Sequence, residues 1–464
     1  MYSEKIKKLL NELGISELDK VRILYRDCEL IGLLMPNNIK DQNSIVLKLT
    51  SGYNVGIKLE NIKEIQLIEK TTKNLFAKND NDDNQFNEKF TESLNDSDNK
   101  SHIAIFGCGG TIASKVEYKT GAAFPSLKPE ELINDFPELV NHKPIKSELL
   151  FSLLSEDMQI QHWQLIAQRV YDEIKTNKCK GIVLTHGTDT MAFTASALSF
   201  MLRNLPIPIV FVGAQRSSDR GSSDNKINLL SAVFFAESDI ADVVVCMHEN
   251  LNDQICAIHY GTRVRKMHTS RRDAFKSINT KPLAYVDYYG KKITINYEDY
   301  NKRTDTYLNK IELKKNLNDN VALIYVHPGI KKKLFKFLSN YDGVVIAGTG
   351  LGHLPVNPFN DKFSISLLDE IKELINSNIP VVMAPQTIYG RINMNVYSTG
   401  RLLLDAGVIG NLCDWTPETA LVKLMWVLGQ TEYKGNMNKI KEIMETNISH
   451  EITERSEILD SIIN

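Results

Sequence analysis

The sequence predicts an α/β protein in which two parallel-sheet domains follow a small N-terminal β-barrel. Three patterns lead to this prediction: a cluster of short β-type runs near the start, and two later series in which apolar strand-like runs alternate with helical stretches. Strands that alternate with helices are typical of a parallel sheet covered on both faces. The chain has 464 residues, a length that agrees with about three domains.

The N-terminal region, residues 1–76, contains five short β-type runs separated by turn-forming clusters such as Pro-Asn-Asn at 36–38. The runs cover residues 21–26, 30–36, 44–50, 54–59 and 62–68. Five short strands in so short a segment favour a small barrel. An amphipathic helix is expected before them at residues 1–13, where lysines interleave with leucines. No pattern in this region indicates catalysis, so we predict a docking domain.

The rest of the chain divides by composition and periodicity. Residues 77–101 are rich in Asn, Asp, Lys, Glu and Ser and cannot bury enough apolar surface to offset their chain entropy, so they predict a flexible linker. We assign residues 102–290 to the first α/β domain and residues 291–320 to an inter-domain connection. Residues 321–430 form the predicted second α/β domain, and residues 431–464 a helical tail.

Composition and charge exclude several classes of protein. The hydrophobic content of 42% and the charged content of 24% are those of a soluble globular protein, and no apolar run approaches the ~20 residues that span a bilayer. The six cysteines have neither metal-ligand nor redox spacing, so we expect no metal site and a cytoplasmic location. A net charge of −2 argues against strong nucleic-acid binding by this chain alone.

A glycine-rich turn follows the first strand of the α/β region. It has the sequence Gly-Cys-Gly-Gly-Thr-Ile-Ala-Ser at residues 107–114. Because glycines let backbone amides approach a ligand closely, Thr111 is the first side chain that could face that ligand. Taken alone, the turn could equally bind a phosphate or be a plain tight turn, although the G-x-G-x-x-G spacing and a P-loop lysine are absent.

A second turn of this kind has the sequence Thr-His-Gly-Thr-Asp-Thr-Met at residues 185–191. Thr188 supplies a second hydroxyl, and Asp189 supplies a carboxylate beside it. Asp189 could instead cap the following helix, which is a common reason for an aspartate at such a place. We expect a structural role for His186, because a lone histidine next to a turn is more often a hydrogen-bonded scaffold residue.

Two further segments carry polar groups that could complete a site. Lys266 lies in a basic stretch at residues 263–269, and a partly buried lysine beside an acid can act as a base or a proton relay. The alternative is a solvated basic face. Ser155-Glu156-Asp157-Met158 alone has the pattern of a helix start with a serine cap. Since ligands of parallel sheets bind where the strands' carboxyl ends open into loops, we expect all these segments to meet there.

The combination of these segments resembles the L-asparaginase family over roughly residues 102–430. The glycine turn ending in Thr-Ile-Ala, the His-Gly-Thr-Asp-Thr turn and the downstream lysine carry the resemblance. It implies that Thr111 attacks the side-chain amide carbon of the substrate. It also implies that Thr188, Asp189 and Lys266 form a second triad, which activates a hydroxyl or water and orients the substrate.

The same resemblance implies a set of substrate-binding residues. Ser155, Glu156 and Asp189 match positions that hold the α-amino and α-carboxylate groups. The glycine-rich turns, at Gly110 and Gly187, can provide backbone donors for an oxyanion. Such groups are needed because a neutral threonine is a weak nucleophile.

Within that family, the sequence resembles the D subunits of archaeal-type Glu-tRNA(Gln) amidotransferases. The N-terminal five-strand region and the segments 118–125 and 390–401 carry this resemblance, and Glu156 replaces the glutamine common in secreted asparaginases. Cys108 and the long linker depart from the family pattern without touching the inferred chemical groups. Tyr118 is the only tyrosine in the loop after the first turn, but its spacing is shorter than in many asparaginases, so we assign it no role.

The resemblance implies a threonine-dependent amidohydrolase that releases ammonia from glutamine or asparagine and has no cofactor of its own. It also implies a partner, the E subunit, which binds Glu-tRNA(Gln), uses ATP and Mg²⁺ to activate the glutamate, and receives the ammonia. The two chains would form a heterodimer that assembles into a dimer of heterodimers. Two alternatives stay open: a stand-alone asparaginase or glutaminase, and a non-catalytic binding module on the same fold.

Overall fold

The computed structural model describes residues 2–17, 19–26, 28–37, 41–49, 54–70, 101–110, 114–117, 122–125, 136–176, 178–216, 223–304 and 310–456. Thr111, Tyr118 and all but the last residue of the linker predicted at 77–101 therefore lie outside the described residues. The predictions for them stay predictions. Within the described part of the chain, no helix combines the length and apolar character needed to span a membrane.

The N-terminal module consists of one helix and a five-stranded antiparallel sheet. Its elements are α1 (Glu4–Glu12), β1 (Lys20–Tyr25), β2 (Cys28–Met35), β3 (Ser44–Leu49), β4 (Asn54–Lys58) and β5 (Ile62–Glu69). Ile6 and Leu10, four residues apart on α1, face the sheet and join its apolar core. The strand order is β4-β3-β2-β1-β5, and β4 does not pair with β5 among the described residues, so the sheet is not closed into a full barrel.

The first α/β domain is built on an eight-stranded mixed sheet with the order β18-β17-β14-β13-β12-β10-β6-β9. The elements of this domain are β6 (His102–Gly107), β7 (Ser114–Glu117), β8 (Ala122–Pro125), β9 (Ile145–Leu149), α2 (Ile160–Lys175), β10 (Cys179–Thr185), α3 (Met191–Met201), β11 (Leu202–Arg203), β12 (Ile209–Val212), α4 (Asn225–Ala236), β13 (Val243–His248), β14 (Ile255–Tyr260), β15 (Val264–Lys266), β16 (Phe275–Ser277), β17 (Ala284–Asp287) and β18 (Lys292–Ile295). The last strand, β18, falls within the segment 291–320 that the sequence assigned to the inter-domain connection.

The sheet has a parallel half and an antiparallel half. Strands β9, β6, β10, β12 and β13 run parallel, which confirms the predicted α/β class. Strands β14, β17 and β18 then extend the sheet in antiparallel pairs. Helices α2 and α3 cover one face and α4 covers the other, so the central strands β6 and β13 are buried along their whole length and are mostly apolar.

The second α/β domain contains a three-stranded parallel sheet with the order β20-β21-β22. Its elements are β19 (Glu312–Leu313), β20 (Val321–Tyr325), α5 (Lys332–Leu338), β21 (Gly343–Gly348), α6 (Leu368–Asn376), β22 (Val381–Pro385), α7 (Ser398–Ala406), α8 (Pro417–Gly429) and α9 (Met437–Glu445). Helix α8 packs on α3 of the first domain, where the hydroxyls of Ser196 and Thr419 lie 3.0 Å apart. One hydrophobic core therefore runs through both domains.

Candidate active site

The candidate site lies where β6, β10 and β12 end side by side. In the sheet register, Gly107 pairs with Thr185, and Thr185 pairs with Val212. The amide of Cys108 donates to the Thr185 carbonyl at 2.9 Å, and the amide of His186 donates to the Val212 carbonyl at 2.9 Å. The ladder therefore continues one residue beyond the strands, and the turns that follow leave the same edge of the sheet together.

Glycines allow these turns to touch. A Cβ on Gly110, which has a φ of +88°, would lie 2.3 Å from the backbone nitrogen of Gly187. A Cβ on Gly187 would lie 2.6 Å from the Cβ of Ser155. No side chain fits at such distances, so the first turn, the second turn and the Ser155 segment are in direct contact. The predicted meeting of these three segments is what the structure shows.

Thr188, Asp189 and Lys266 form one hydrogen-bonded group. The Lys266 ammonium donates to Thr188 Oγ1 at 2.8 Å and to Asp189 Oδ1 at 2.8 Å. Thr188 is buried, and the side chain of Lys266 is only 14% exposed, whereas that of Asp189 is 66% exposed. Lys266 therefore does not belong to a solvated basic face. The N-cap of α3 is Thr190, so Asp189 does not serve as the helix cap either.

A β-hairpin holds Lys266 in this position. Lys266 ends β15 and pairs with Phe275 of β16, whose ring is completely buried. The neighbouring Arg265 forms an ion pair with Glu418 of α8, with 3.2 Å between Nε and Oε1. The hairpin is thus anchored in the core on one side and to the second domain on the other, which fixes the lysine although it is far from Thr188 in the sequence.

The Ser155 segment forms a 3₁₀ helix, Ser155–Asp157, and not the start of an α-helix. Helix α2 begins later, at Ile160, so Ser155 is not its cap. Ser155 is buried against Gly187, and its carbonyl accepts a hydrogen bond from Thr190 Oγ1 at 2.7 Å. The structure thus brings Ser155 to the site, with the Glu156 side chain exposed beside it.

His186 stabilises the second turn through hydrogen bonds of its buried ring. Its Nδ1 donates to the Gly187 carbonyl at 2.7 Å, and its Nε2 lies 2.9 Å from Thr194 Oγ1, which donates to it. Complete burial lowers the pKa of His186 to about 4, so the ring is neutral at pH 7. A neutral ring with both nitrogens engaged holds the turn in place and is not free to act as a general base, in agreement with the structural role expected from the sequence.

A third turn, after β12, also belongs to the site, although sequence patterns did not single it out. A Cβ on Gly213 would lie 2.9 Å from Thr188 Cγ2, so this turn packs directly on the threonine. The completely buried Asp224 accepts a hydrogen bond from the Gln215 amide at 3.0 Å and thereby fixes the turn. The signal that could have found it is the glycine that directly follows an apolar run, as Gly107 does in the first turn.

This arrangement can activate a hydroxyl group. An ammonium 2.8 Å from Thr188 Oγ1 stabilises negative charge that develops on that oxygen, and the partial burial of the pair strengthens the effect. Thr111 itself lies outside the described residues. It follows directly on Gly110, which the structure places against the second turn.

Comparisons with known proteins identify the class to which this fold belongs. Three family models match the chain: the asparaginase N-terminal domain over residues 102–301, the glutaminase/asparaginase C-terminal domain over 320–444, and the GatD N-terminal domain over 15–68. The thermostable L-asparaginase from Thermococcus kodakarensis superimposes with a TM-score of 0.65 at 32% identity, over 76% of this chain and all of that one. L-asparaginase I from Vibrio cholerae gives a TM-score of 0.64 at 29% identity, over 76% of this chain and 99% of that one. Fold and site together define an amidohydrolase of the L-asparaginase class.

The particular family follows from relatives that match the chain from end to end. The D subunit of the glutamyl-tRNA(Gln) amidotransferase of Pyrococcus furiosus is 44% identical over 457 residues, which are 97% of this chain and 98% of the relative. The corresponding D subunit of Methanobrevibacter smithii is 43% identical over 460 residues, 98% of either chain. The chain belongs to the family of glutamyl-tRNA(Gln) amidotransferase D subunits, as the sequence predicted, and is therefore one component of a larger complex.

Proposed function

We propose that this chain is the glutaminase subunit of a Glu-tRNA(Gln) amidotransferase. It hydrolyses the side-chain amide of glutamine or asparagine and supplies the ammonia that a partner uses to convert Glu-tRNA(Gln) into Gln-tRNA(Gln). The observation that carries the proposal is the Thr188–Asp189–Lys266 group, whose turn contacts, at Gly187, the glycine turn that leads into Thr111.

The chemistry proceeds in two displacements. Thr111 Oγ attacks the amide carbon, a C–O bond forms, the C–N bond breaks, and the threonine proton ends on the leaving nitrogen as ammonia departs. Water then attacks the resulting ester, the bond to Thr111 Oγ breaks, and the threonine regains a proton. Thr188, Asp189 and Lys266 activate the attacking group and orient the substrate, while the backbone amide of Gly187 donates to the oxyanion. The amide of Gly110, which the sequence also offered as an oxyanion donor, instead donates to the Leu153 carbonyl at 3.3 Å. Ser155, Glu156 and Asp189 hold the α-amino and α-carboxylate groups.

The charge of the chain supports a division of labour with a partner. The net charge is −2, and the N-terminal residues 1–76 contain 12 Lys/Arg against 10 Asp/Glu. Charges so nearly balanced produce an electrostatic field that is too weak to bind tRNA. The E subunit therefore binds Glu-tRNA(Gln) together with ATP and Mg²⁺, and the two chains pair as a dimer of heterodimers. The N-terminal module serves as the element that docks or positions this chain within the complex.

Alanine substitution of the two threonines tests the proposed chemistry. We expect Thr111→Ala and Thr188→Ala each to abolish ammonia release from glutamine while the far-ultraviolet circular dichroism stays that of the parent chain. The double variant is expected to be little worse than either single variant, because members of one catalytic unit fail non-additively. Thr294→Ala, on the exposed edge strand β18, is the matched control and keeps full activity. Near-parental glutaminase activity in Thr111→Ala contradicts the assignment of the nucleophile.

A further inference from the structure

The hairpin that carries Lys266 is anchored at its root by a buried arginine. Arg263 directly precedes β15, and its backbone carbonyl accepts a hydrogen bond from the Ile278 amide at 2.8 Å, which extends the β15–β16 ladder to the root. The Arg263 side chain is 1% exposed. Its Nε donates to the His450 carbonyl at 2.6 Å, its Nη1 to the Asp414 carbonyl at 3.0 Å and its Nη2 to Asp414 Oδ1 at 3.2 Å. All three guanidinium nitrogens are therefore engaged inside the protein.

The other leg of the hairpin reaches the same acceptor. Asn279 follows β16, and its side-chain amide donates to the Asp414 carbonyl at 2.7 Å. Asp414 lies in the second domain, in the loop before α8, and is 2% exposed. Both legs of the hairpin thus converge on one buried residue of the other domain.

The C-terminal segment 449–453 holds this anchor in place. The amide of Thr453 donates to Asp414 Oδ1 at 2.9 Å, and its hydroxyl donates to Oδ2 at 2.5 Å. The hydroxyl of Thr262, next to the arginine, donates to the Ser449 carbonyl at 2.7 Å. The hairpin root, the loop before α8 and the C-terminal segment are therefore joined by hydrogen bonds at one point.

The type of contact at Arg263 suits orientation better than it suits stability. The desolvation of two buried charges offsets most of their attraction, and apolar residues of similar size are often as stable. The planar fork of an arginine, in contrast, donates in several fixed directions at once, which a lysine does not reproduce. An arginine bound to three acceptors therefore fixes the angle at which the hairpin leaves its root.

We propose that Arg263 is a positioning residue for the amide hydrolysis and that it acts through Lys266. Lys266 ends β15, three residues beyond the root, and its ammonium lies 2.8 Å from Thr188 Oγ1 and from Asp189 Oδ1. A rotation of the hairpin at its root moves the ammonium away from both atoms. The contact of Arg263 with Asp414 prevents that rotation. The inference rests on the proposed function, to which it adds a component outside the substrate site.

Steady-state ammonia release by full-length Arg263→Lys tests the proposal, because this variant keeps the charge and loses the fork. We expect kcat to fall by about 10²-fold with KM changed little, since displacements of about 1 Å at a catalytic site cost roughly that factor. In the Lys266→Met background the same substitution should cause no further loss, because Arg263 then has no ammonium to position. A purely structural role would lower activity in both backgrounds.

Arg303→Lys is the matched control. Arg303 also donates three hydrogen bonds, at 3.0, 3.1 and 2.7 Å, to the carbonyls of Ser238 and Ala236. These acceptors lie at the C-terminal end of α4, which leads into the parallel strand β13, and therefore at the edge of the sheet opposite the candidate site. We expect Arg303→Lys to keep the kcat of the parent chain.

Lysine acylation with N-hydroxysuccinimidyl acetate, mapped by peptide mass spectrometry, follows Lys266 without any turnover. The side chain of Lys266 is 14% exposed, so its acylation is slow in the parent chain. Arg263→Lys should accelerate it roughly tenfold or more, because a lost charged hydrogen bond shifts a local opening equilibrium by about that factor. The exposed Lys292 is the internal reference and keeps its rate. If the chain releases no ammonia under any condition, the proposed function fails, and the acylation rates still decide whether Arg263 holds Lys266.

Thr453→Val removes one hydrogen bond to Asp414 and should shift kcat and Lys266 acylation in the same directions by smaller factors. This milder variant decides the question if Arg263→Lys does not fold. The proposal is overturned if the folded variants keep the parental kcat and the parental Lys266 acylation rate. It is equally overturned if Arg263→Lys causes the same loss in the Lys266→Met background, or if Arg303→Lys reproduces both effects.

Discussion

Lys266 is the residue on which the electrostatics of the site depend. Its ammonium is the cation that contacts both Thr188 and Asp189, and its side chain is largely buried. Asp189 is the more exposed member of the group and faces the solvent from which a substrate arrives. A positively charged group held between a buried hydroxyl and an exposed carboxylate can assist proton transfer at the hydroxyl and orient a ligand at the carboxylate.

The residue-scale prediction is that Lys266→Met lowers kcat far more than it changes KM. General acid–base groups contribute on the order of 10²–10⁴-fold, and we expect a loss of turnover in that range. Steady-state ammonia release from glutamine measures it, with Lys292→Met as the exposed control. An unchanged kcat in Lys266→Met would place the lysine outside the reaction.

Some residues of the site could be predicted from the sequence because the pattern that identifies them lies within one short segment. Thr188 and Asp189 are adjacent in a short motif with an unusual composition, which a single sequence displays. The contact of Lys266 with Thr188 joins positions 78 residues apart, so only the family resemblance pointed to it. Gly213 and Asp224 were missed because their roles are packing and backbone hydrogen bonding, and a glycine after an apolar strand does not by itself indicate a catalytic site.

At the scale of elements, the contact between the two glycine turns determines the shape of the site. Gly110 has a φ of +88° and no room for a Cβ. Gly329 has a φ of +90° and nothing within 4 Å of an added Cβ, so it is a matched control that isolates backbone strain from steric contact. The two positions differ only in what surrounds them.

We therefore predict different outcomes for alanine at these two glycines. Gly329→Ala costs about 1–2 kcal/mol of stability through its left-handed backbone and leaves activity unchanged. Gly110→Ala has the same strain and also separates the two turns, and displacements of about 1 Å at a catalytic site cost roughly 10²-fold in rate. Ammonia release and chemical unfolding of both variants give the comparison. Equal activities in the two variants would show that the contact between the turns has no catalytic importance.

Helices and strands could be predicted where the sequence pattern that defines them lies within the element itself. The N-terminal helix was expected at residues 1–13 and spans Glu4–Glu12, and each of the five N-terminal strands overlaps its expected run. The antiparallel half of the first sheet was not predicted. Strand β14 pairs with β13 and β17, and such partner choices depend on packing across the domain and not on the strand's own sequence.

At the scale of the whole molecule, a buried carboxylate couples stability to pH. Glu173 of α2 is nearly inaccessible, and it accepts hydrogen bonds from His102 at 2.7 Å, Arg169 at 2.7 Å and Lys146 at 3.2 Å. Burial by itself raises the pKa of Glu173, but these three partners outweigh it and lower the pKa from 4.5 to about 2. The folded chain therefore binds this proton less readily than the unfolded chain does.

This depressed pKa predicts a loss of stability in acid. The contribution of Glu173 is fully present above pH ~4.5 and is lost progressively as the pH falls towards about 2. In Glu173→Gln, the free energy of unfolding should be lower at pH 7, and its decline between pH 5 and pH 3 should be shallower. Urea unfolding at several pH values measures both. If the free energy of unfolding had the same pH dependence in both chains, the lowered pKa would not belong to Glu173.

The most direct test of the proposed function is ammonia release from glutamine by the purified chain, alone and then with the E subunit and Glu-tRNA(Gln). Unregulated hydrolysis would waste glutamine, so we expect low activity from the isolated chain. Activity should rise when partner and tRNA together are added, through a shift towards a closed, competent site. The rise should be absent in Thr188→Ala. Full-rate hydrolysis by the isolated chain, unchanged by partner and tRNA, would contradict the role as a partner-dependent glutaminase subunit and identify a stand-alone amidohydrolase.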